Sequence, residues 1–229
     1  MKVRQKLRRW HVWLGWIVGL PLLVWTATGL FMTTFPIERV RGEHLIGEAP
    51  ALALTVPPVP PAVGARPLAS LSLEPRLGGA RWIIRYQDGG ARLADPTTGR
   101  LLPPLSAADA RAIVEARYAG ASQVKAVERT SADSPPIELR RNVPAWRVVY
   151  ADGARFYVPA ETGEILARRT GLWRVYDFMW GLHILDPGGR SDTDSWWMFA
   201  FALVSLVSIV MALALLPMTI RRRSSARRD

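Results

Sequence analysis

Two long runs without charge dominate the pattern of hydrophobic and polar positions along the chain. The first run extends from Trp10 to Phe35 and the second from Ser195 to Ile220, and neither contains Asp, Glu, Lys or Arg. A helix of about 20 apolar residues is long enough to cross the hydrocarbon core of a bilayer. The pattern therefore predicts two transmembrane helices, at residues 10–35 and 195–220, that enclose one extramembrane domain.

Basic residues lie beyond the outer end of each run. The tails 1–9 and 221–229 contain 10 of the 30 basic side chains, whereas residues 34–195 contain 20 basic and 18 acidic side chains. Basic residues beside the ends of spans are typical of the cytoplasmic side. We therefore predict a two-pass protein of a bacterial inner membrane, with both termini cytoplasmic and the middle domain periplasmic. Because the net charge of +11 lies mainly in the tails, it indicates no nucleic-acid surface on the folded domain.

The absence of cysteine narrows the chemistry of the chain. It excludes disulfides, thiolate metal sites and cysteine-ligated iron–sulfur clusters. The first apolar run is longer than the core of a signal peptide, and no A-x-A-type cleavage site follows it. We therefore expect an uncleaved anchor whose surroundings are the lipid bilayer.

One face of the first predicted span combines a histidine with small residues. His11, Gly15 and Gly19 follow one another at steps of four residues. The G-x-x-x-G pair lets two helix backbones approach closely, which favours packing against the second span. The second span offers a small-residue face for this contact, at Ala202, Ser205, Ser208 and Ala212. The same face of the first span also suits a groove for a planar cofactor with His11 as axial ligand, while a histidine at this depth can simply hydrogen-bond at the interface.

A proline-rich segment separates the first span from the folded domain. Residues 36–67 contain six prolines from Pro50 onwards, and this composition predicts an extended spacer. His44 lies in this segment between Glu43 and Glu48. We interpret the three side chains as a solvated surface cluster rather than as a metal site.

The folded domain, predicted over residues 68–171, contains an internal repeat. The copies lie near 81–102 and 145–166, and Trp82 matches Trp146 at an offset of 64 residues. Each copy has the pattern of a strand, an Asp-Gly turn, a second strand and a Thr-Gly turn.

Helices are predicted before both copies. Ser106-Ala-Ala-Asp109 is a capping box that opens a helix before the second copy. Residues 68–77 suggest an equivalent, weaker helix before the first copy. The predicted fold class is therefore α+β, with two transmembrane helices flanking an ectodomain of two α+β halves with antiparallel sheet.

Residues 172–194 combine an aromatic helix with an acidic loop. The helix carries an aromatic face that is typical of the membrane interface and consists of Trp173, Tyr176, Trp180 and His183. Asp186, Asp192 and Asp194 follow in the loop. The residue order of an EF-hand is absent, so we favour loop structure and salt bridges over a calcium site. No metal site is predicted in the chain.

Several of these motifs resemble a known family. The helix opening at Ser106, the strand 146–150, the Asp152-Gly153 turn and the ending Glu161-Thr162-Gly163-Glu164 are together similar to a PepSY domain. The first span and the segment 176–197 resemble two-span PepSY-associated transmembrane proteins. Because PepSY domains resemble parts of protease propeptides, the resemblance implies a non-catalytic accessory or binding module for a partner protein, such as a peptidase, or for a membrane complex.

The resemblance also implies an alternative, haem-binding function. Larger members of the PepSY-associated group resemble haem-bearing ferric-siderophore reductases, so His11 and His183 would be ligands of haem b, with Gly15 and Gly19 beside the groove. The helical rise separates the levels of the two histidines by roughly 35 Å, whereas the axial ligands of one haem lie about 4 Å apart. A haem would therefore require a homodimer or another membrane protein.

No set of catalytic residues is predicted. The sequence contains three histidines and no phosphate-binding glycine loop. Whether the chain is an enzyme stays open, and the enzymatic alternative is a haem-dependent membrane oxidoreductase.

Overall fold

The structure of the chain, a computed structural model, describes residues 2–190 and 196–225. One compact unit consists of Met1–Phe35 and Val175–Asp229, and the other consists of Pro36–Arg174. The first unit holds the two long apolar helices, and the second holds two antiparallel sheets. The predicted α+β class, with apolar helices on either side of a mixed middle part, is confirmed.

Two helices of the helical unit are long and apolar enough to cross a membrane. α1 extends over Lys2–Thr33 and α5 over Trp196–Ser225. Within them, Arg4–Thr33 and Trp196–Pro217 carry the apolar sequence. α1 and α5 contact each other. The predicted start of the second span at Ser195 and the end of the basic tail, residues 226–229, lie outside the described residues.

The glycine face of α1 does not make the close helix contact that its spacing predicts. A Cβ placed on Gly15 or on Gly19 would meet no atom within 4 Å in the part of the chain that the structure describes. The buried positions of α1 are instead Val18 and Thr28. The prediction that Gly15 and Gly19 pack against the second span is therefore wrong, because larger side chains on a neighbouring face occupy the buried positions. Of the small-residue face on α5, Ser208 is buried, whereas Ala202 is exposed.

The aromatic helix predicted after residue 172 is confirmed as α4, Gly171–His183. In the helical unit, the carboxylate of Asp177 is buried and accepts a hydrogen bond from Arg190 Nη1 at 3.0 Å. Asp177, which is 4% exposed, therefore lies on the buried side of α4. Asp186 stabilises the following loop by accepting a hydrogen bond from Gly189 N at 2.9 Å. The other two loop acids, Asp192 and Asp194, lie outside the described residues.

The unit 36–174 contains a three-stranded sheet, a four-stranded sheet and one helix of more than two turns. The three-stranded sheet has the order β1-β2-β3, from strands Leu68–Arg76, Gly79–Tyr86 and Ala91–Ala94. The four-stranded sheet has the order β4-β5-β6-β7, from strands Val124–Thr130, Ala145–Tyr150, Arg155–Pro159 and Ala167–Arg169. The helices are α2, Ile37–Val40, a 3₁₀ turn at Glu43–Leu45, and α3, Ala107–Glu115. All strand pairs are antiparallel.

The two sheets share one strand register. Trp82 of β2 pairs with Ala94 of β3, and Trp146 of β5 pairs with Val158 of β6, so that both strands keep the offset of 64 residues. The turns match as well, because Gly89 and Gly153 adopt φ of 84° and 83°. Each tryptophan indole donates a hydrogen bond of 2.8 Å to a main-chain carbonyl of the segment before its copy.

The helix predicted over residues 68–77 is wrong, because this segment forms strand β1. Leu71 and Leu73 alternate with Ser70, Ser72 and Glu74, which is the period of a strand rather than of a helix. β1 corresponds to β4. In both strands the pairing register shifts near the start, between Leu68 and Ser70 in β1 and between Val124 and Ala126 in β4. In the second copy, 18 residues that include α3 separate Leu105 from Val124, but only 8 residues separate the equivalent Val59 from Leu68. The first half of the unit therefore has no counterpart of α3.

α3 covers one face of the four-stranded sheet. Its predicted capping box is confirmed, since Ser106 Oγ accepts from Asp109 N and the Asp109 carboxylate accepts from Ser106 N. The hydrogen bonds from Ser106 lower the pKa of Asp109 below its ordinary value. Apolar residues of α3, chiefly Ile113 and Val114, pack in one core with Val148 and Phe156 of the sheet.

A loop of residues 131–144 covers the other face of this sheet. Leu139 from the loop packs with Ala145, Tyr157 and Ala167. Glu138 from the same loop is 7% exposed. With both faces covered, the free surface of the four-stranded sheet lies at its edges and at the junction with the three-stranded sheet.

Candidate functional site

The clearest concave surface of the unit 36–174 lies where the three-stranded sheet meets α3. Two adjoining cavities of about 260 and 460 Å³ share Arg76, Leu77, Ile113 and Gly163 in their lining. We refer to the smaller cavity as the Arg81 cleft. Its wall is mainly apolar and includes Leu77, Leu93, Leu102, Leu105, Ala112 and Ile113.

The topology of the unit places these side chains at one junction. Leu77 lies in the tight connection between β1 and β2, and Leu93 lies on β3, where it pairs with Ile83. Ala112 and Ile113 lie on α3. Pro103 and Pro104 form the connection from the first copy to the capping box and complete the wall.

The Glu-Thr-Gly-Glu segment at 161–164 holds the two sheets together. Glu161 Oε2 accepts a hydrogen bond from Ala91 N at 3.3 Å, and Glu164 lies 3.5 Å from Arg85 in an ion pair. Arg76 Nε donates to Thr162 O at 2.8 Å. The same segment that closes the second copy therefore also connects it to the first.

Gly163 satisfies a backbone requirement at this junction. Its φ is 64°, in the left-handed region that favours glycine. A Cβ at this position would lie 2.9 Å from Leu105 Cδ1, a side chain of the cleft wall. Glycine thus allows both the turn and the close approach of the capping-box segment.

Most charged groups at the junction are already engaged. Arg76 donates through Nη2 to Glu74 Oε2 at 2.8 Å, in addition to its bond to the 161–164 segment. Burial raises the pKa of Glu74, but hydrogen bonds from Ser72 and Arg76 outweigh that effect, and the net shift of the pKa is downward. Glu74 is therefore ionised at neutral pH and pairs with Arg76.

Arg81 differs from these groups. It lies on β2 and lines the cleft together with Leu93. Its Nη1 donates to the carbonyl of the adjacent Ala80 at 2.7 Å. Arg81 forms no ion pair within 4 Å with a carboxylate of residues 2–190 and 196–225. The cleft thus combines an apolar wall with one guanidinium that pairs with no carboxylate among the described residues.

The structure brings His183 to the C-terminal half of α1 within the helical unit. His183 Nδ1 lies 3.1 Å from Trp25 O and 3.1 Å from Thr28 Oγ1, and the imidazole stacks on the Trp25 indole at 4.7 Å. A Cβ on Gly29 would lie 3.1 Å from His183 Cε1, so glycine makes room for the ring. In the tautomer with its proton on Nδ1, the ring donates to Trp25 O and Nε2 has the free lone pair, whereas in the other tautomer Nδ1 accepts from the hydroxyl of Thr28.

His11 and His183 do not come together. His183 is level with Trp25, and the rise of α1 between residues 11 and 25 is about 21 Å. The expected separation of roughly 35 Å is therefore too large, but the conclusion that one chain cannot supply both axial ligands of one haem remains. His11 Nδ1 is buried, and no group of residues 2–190 or 196–225 forms a hydrogen bond with it.

The other residues predicted for a site lie neither at the Arg81 cleft nor beside His183. Gly15 and Gly19 face open space. His44 lies in the 3₁₀ turn at Glu43–Leu45 of the other unit. Within the described ranges, no three His, Asp or Glu side chains are arranged to hold a metal ion.

Sequence reasoning missed the Arg81 cleft. The repeat offers one signal for it, since Arg81 in the first copy corresponds to Ala145 in the second, which is 1% exposed. The first copy carries a charged side chain at the position where the second copy carries a buried alanine, so the two positions must have different neighbours. The identity of those neighbours follows only from the tertiary structure.

A family model for the PepSY family, described as peptidase propeptide and YPEB domain, matches residues 104–169. The chain contains a PepSY domain. The matched range begins just before the capping box of α3 and ends at the last residue of β7, so the PepSY domain comprises α3 and the complete four-stranded sheet. Neither a curated protein nor a solved structure matches the chain.

The three-stranded sheet therefore lies outside the matched range. It repeats the strand register of the PepSY domain and packs on its 161–164 segment. The Arg81 cleft lies between this sheet and the PepSY helix α3.

Proposed function

We propose that this chain is a non-catalytic, membrane-anchored module whose PepSY domain binds a partner protein. In this proposal the two apolar helices hold the chain in the inner membrane, both termini are cytoplasmic, and the PepSY domain acts in the periplasm. The support is the PepSY match itself, the two apolar helices and the basic residues that flank them.

The observation that carries the proposal is the apolar surface at the Arg81 cleft. Leu77 lies between the two cavities and keeps 46% of its surface exposed. Such concave apolar surfaces with a few polar groups are typical of binding sites. The two sheet faces of the PepSY domain are already covered by α3 and the 131–144 loop, so the junction is the surface that best suits a partner.

Site-specific cross-linking tests this proposal. A photoreactive amino acid replaces Leu77 in the full-length protein in its native membrane, and a matched variant carries it at Ile137, which is 44% exposed on the 131–144 loop. We expect one discrete cross-linked protein from position 77 and none from position 137. Absence of a product at position 77, or the same products at both positions, would contradict docking at the cleft.

A second function, binding of haem b, is favoured by the hydrogen bonds of His183. Histidines that coordinate metals usually donate their second N–H to a carbonyl or carboxylate, which orients the ring. His183 has this arrangement, with Nδ1 directed to Trp25 O and Nε2 left for a ligand. Because His11 lies about 21 Å away along α1, a haem at His183 would take its second axial ligand from a second copy or from another membrane protein.

Absorption spectroscopy separates the two functions. The full-length protein is purified in mild detergent from cells supplied with haem, and reduced-minus-oxidised spectra are recorded. Haem binding predicts Soret and α bands that His183→Ala removes, whereas His44→Ala serves as the matched control and leaves them unchanged. A wild-type spectrum without these bands would refute the haem function and leave the binding module.

A further inference from the structure

The unpaired charge of Arg81 indicates what kind of ligand the cleft would take. Asp95 interacts electrostatically with Arg81. However, Asp95 Oδ1 already accepts hydrogen bonds of 2.9 Å from Thr97 N and Thr98 N, and these bonds form a turn rather than an ion pair. An anionic group in the cleft would therefore find a guanidinium that no described carboxylate contacts.

The other charged side chains that line the cleft do not reverse its preference for an anionic ligand. Arg76 is held by Glu74 and by the carbonyl of Thr162. Asp109 belongs to the capping box, where Ser106 donates to its carboxylate through N at 2.8 Å and through Oγ at 2.6 Å. The lining thus contains two arginines and one aspartate, and its net charge is positive.

The shape of the cleft limits how a polypeptide can enter. Pro103 and Pro104 have no N–H group, so this wall cannot donate the main-chain hydrogen bonds of an added strand. Recognition then depends on apolar contact and on the charge. A cavity of about 260 Å³ is small for one ligand site, and it suits a single apolar side chain with its attached carboxylate.

We propose that the Arg81 cleft binds the C-terminal residue of a partner polypeptide, with an apolar side chain against the leucine wall and the α-carboxylate paired with Arg81. This inference rests on the proposed function as a binding module. In a C-terminal residue, the apolar side chain and the carboxylate leave the same Cα, so one small cavity satisfies both. A long-chain fatty acid carries the same charge, but beyond this cavity its chain would have to enter the adjoining one, whose lining includes the carboxylates of Glu48, Glu74 and Glu164.

Binding of defined tripeptides to the full-length protein in lipid nanodiscs tests the inference. The probes are fluorescent, N-terminally labelled tripeptides that end in Leu, Val or Phe, each as the free acid and as the C-terminal amide, and affinity is measured by anisotropy. A hydrogen-bonded charge pair of this kind contributes a factor of about ten to one hundred in affinity. We expect the acids to bind tighter than the amides by that factor, and Arg81→Gln to abolish the difference.

Two substitutions on α3 provide a steric control. Ala112 is exposed and lines the cleft, whereas Ala108 is exposed on the same helix outside the lining. Ala112→Trp is expected to fill the cleft and to prevent binding of the acids, and Ala108→Trp is expected to leave binding unchanged. Since both positions are exposed, neither change is expected to unfold the helix.

Each other outcome overturns the inference. Equal affinity of acids and amides, an acid preference that survives Arg81→Gln, or no binding up to millimolar concentration would each refute it. Decanoate that competes in an Arg81-dependent manner would assign the cleft to fatty acids instead. If the cross-link at position 77 forms but no tripeptide binds, this inference fails while the binding module stands.

Discussion

Replacement of Glu138 is expected to destabilise the unit that contains the PepSY domain. Its side chain is 10% exposed, and Oε1 accepts a hydrogen bond of 2.8 Å from Arg155 Nη1. Oε2 accepts one of 3.0 Å from the hydroxyl of Tyr157, a residue with 0% exposure. Glu138 thereby fixes the loop 131–144 to the sheet face that the loop covers.

The expected magnitude follows from what each partner loses in Glu138→Leu. The hydroxyl of Tyr157 is left buried without an acceptor, which costs about 1–3 kcal/mol. Arg155 and Arg174, which both pair with Glu138 Oε1, keep 35% and 32% side-chain exposure and regain water, so the loss of the two ion pairs together costs about 1 kcal/mol. The total of about 2–4 kcal/mol is a large part of the usual 5–15 kcal/mol stability of a domain.

Pulse proteolysis in urea measures this change on the full-length protein in nanodiscs. With a urea dependence of about 2 kcal/mol per molar for a domain of this size, the midpoint is expected to fall by about 1–2 M. Tyr157→Phe combined with Glu138→Leu removes the unsatisfied hydroxyl, so the double variant should be more stable than the sum of the single changes predicts. A midpoint within about 0.2 M of the wild type, or strictly additive single changes, would refute the role of Glu138.

Three further predictions concern single residues. Burial, together with the charge of nearby groups, raises the pKa of Tyr150 to about 12, above the ordinary value near 10. As pH rises, the hydroxyl of Tyr150 loses its proton first in the unfolded chain, so its contribution to stability is complete below pH 10 and falls by about 2–3 kcal/mol between pH 10 and 12. Because the pKa values of Tyr118 and Tyr157 are raised as well, pulse proteolysis should show a smaller alkaline loss of stability in Tyr150→Phe than in the wild type, rather than no loss. Tyr150→Phe should also be neutral or stabilising at pH 7, since the hydroxyl is buried and forms no hydrogen bond with the part of the chain that the structure describes. Gly163→Ala combines the strain of a positive φ with a steric clash, whereas Gly64→Ala has the same kind of strain but open surroundings. Gly163→Ala should therefore lower the urea midpoint more than Gly64→Ala does. Equal effects of the two substitutions would contradict the close packing at Gly163. Nitrogen-15 NMR of the histidine-labelled protein should find His183 with its proton on Nδ1, and a proton on Nε2 would show that the bond to Trp25 O does not form.

The repeat shows how far local sequence determines this fold. Trp82 and Trp146 occupy equivalent register positions because Asp-Gly turns and β-branched residues specify each hairpin within about 20 residues. The capping box at Ser106 and Asp109 is equally local, and it was predicted in full. Residues 68–77 alternate apolar and polar side chains with the period of a strand, and they form one. The helix predicted there rested on the expectation that the first copy repeats the helix of the second.

The candidate sites depend on contacts that no local pattern contains. Gly15 and Gly19 have the spacing of a helix contact, but burial on α1 is decided by which neighbouring face offers the better packing. The position of His183 beside Trp25 joins residues that are 158 apart in sequence. The resemblance to PepSY-associated proteins made His183 a candidate ligand, but only the structure gives its hydrogen-bond partners and its level on α1.

By itself, the sequence determined the two apolar helices, the hairpins and the capped helix, because each depends on period, composition and turn chemistry over short distances. The PepSY domain was indicated by the resemblance of the motifs between Ser106 and Glu164, and the family model matches it over residues 104–169. Only the tertiary structure decided that the 161–164 segment joins the two sheets and that Arg81 lies at an apolar cleft without a carboxylate partner. The physical reason is that burial and charge pairing are set by neighbours from distant parts of the chain. The same arginine in an isolated hairpin would simply be a solvated side chain.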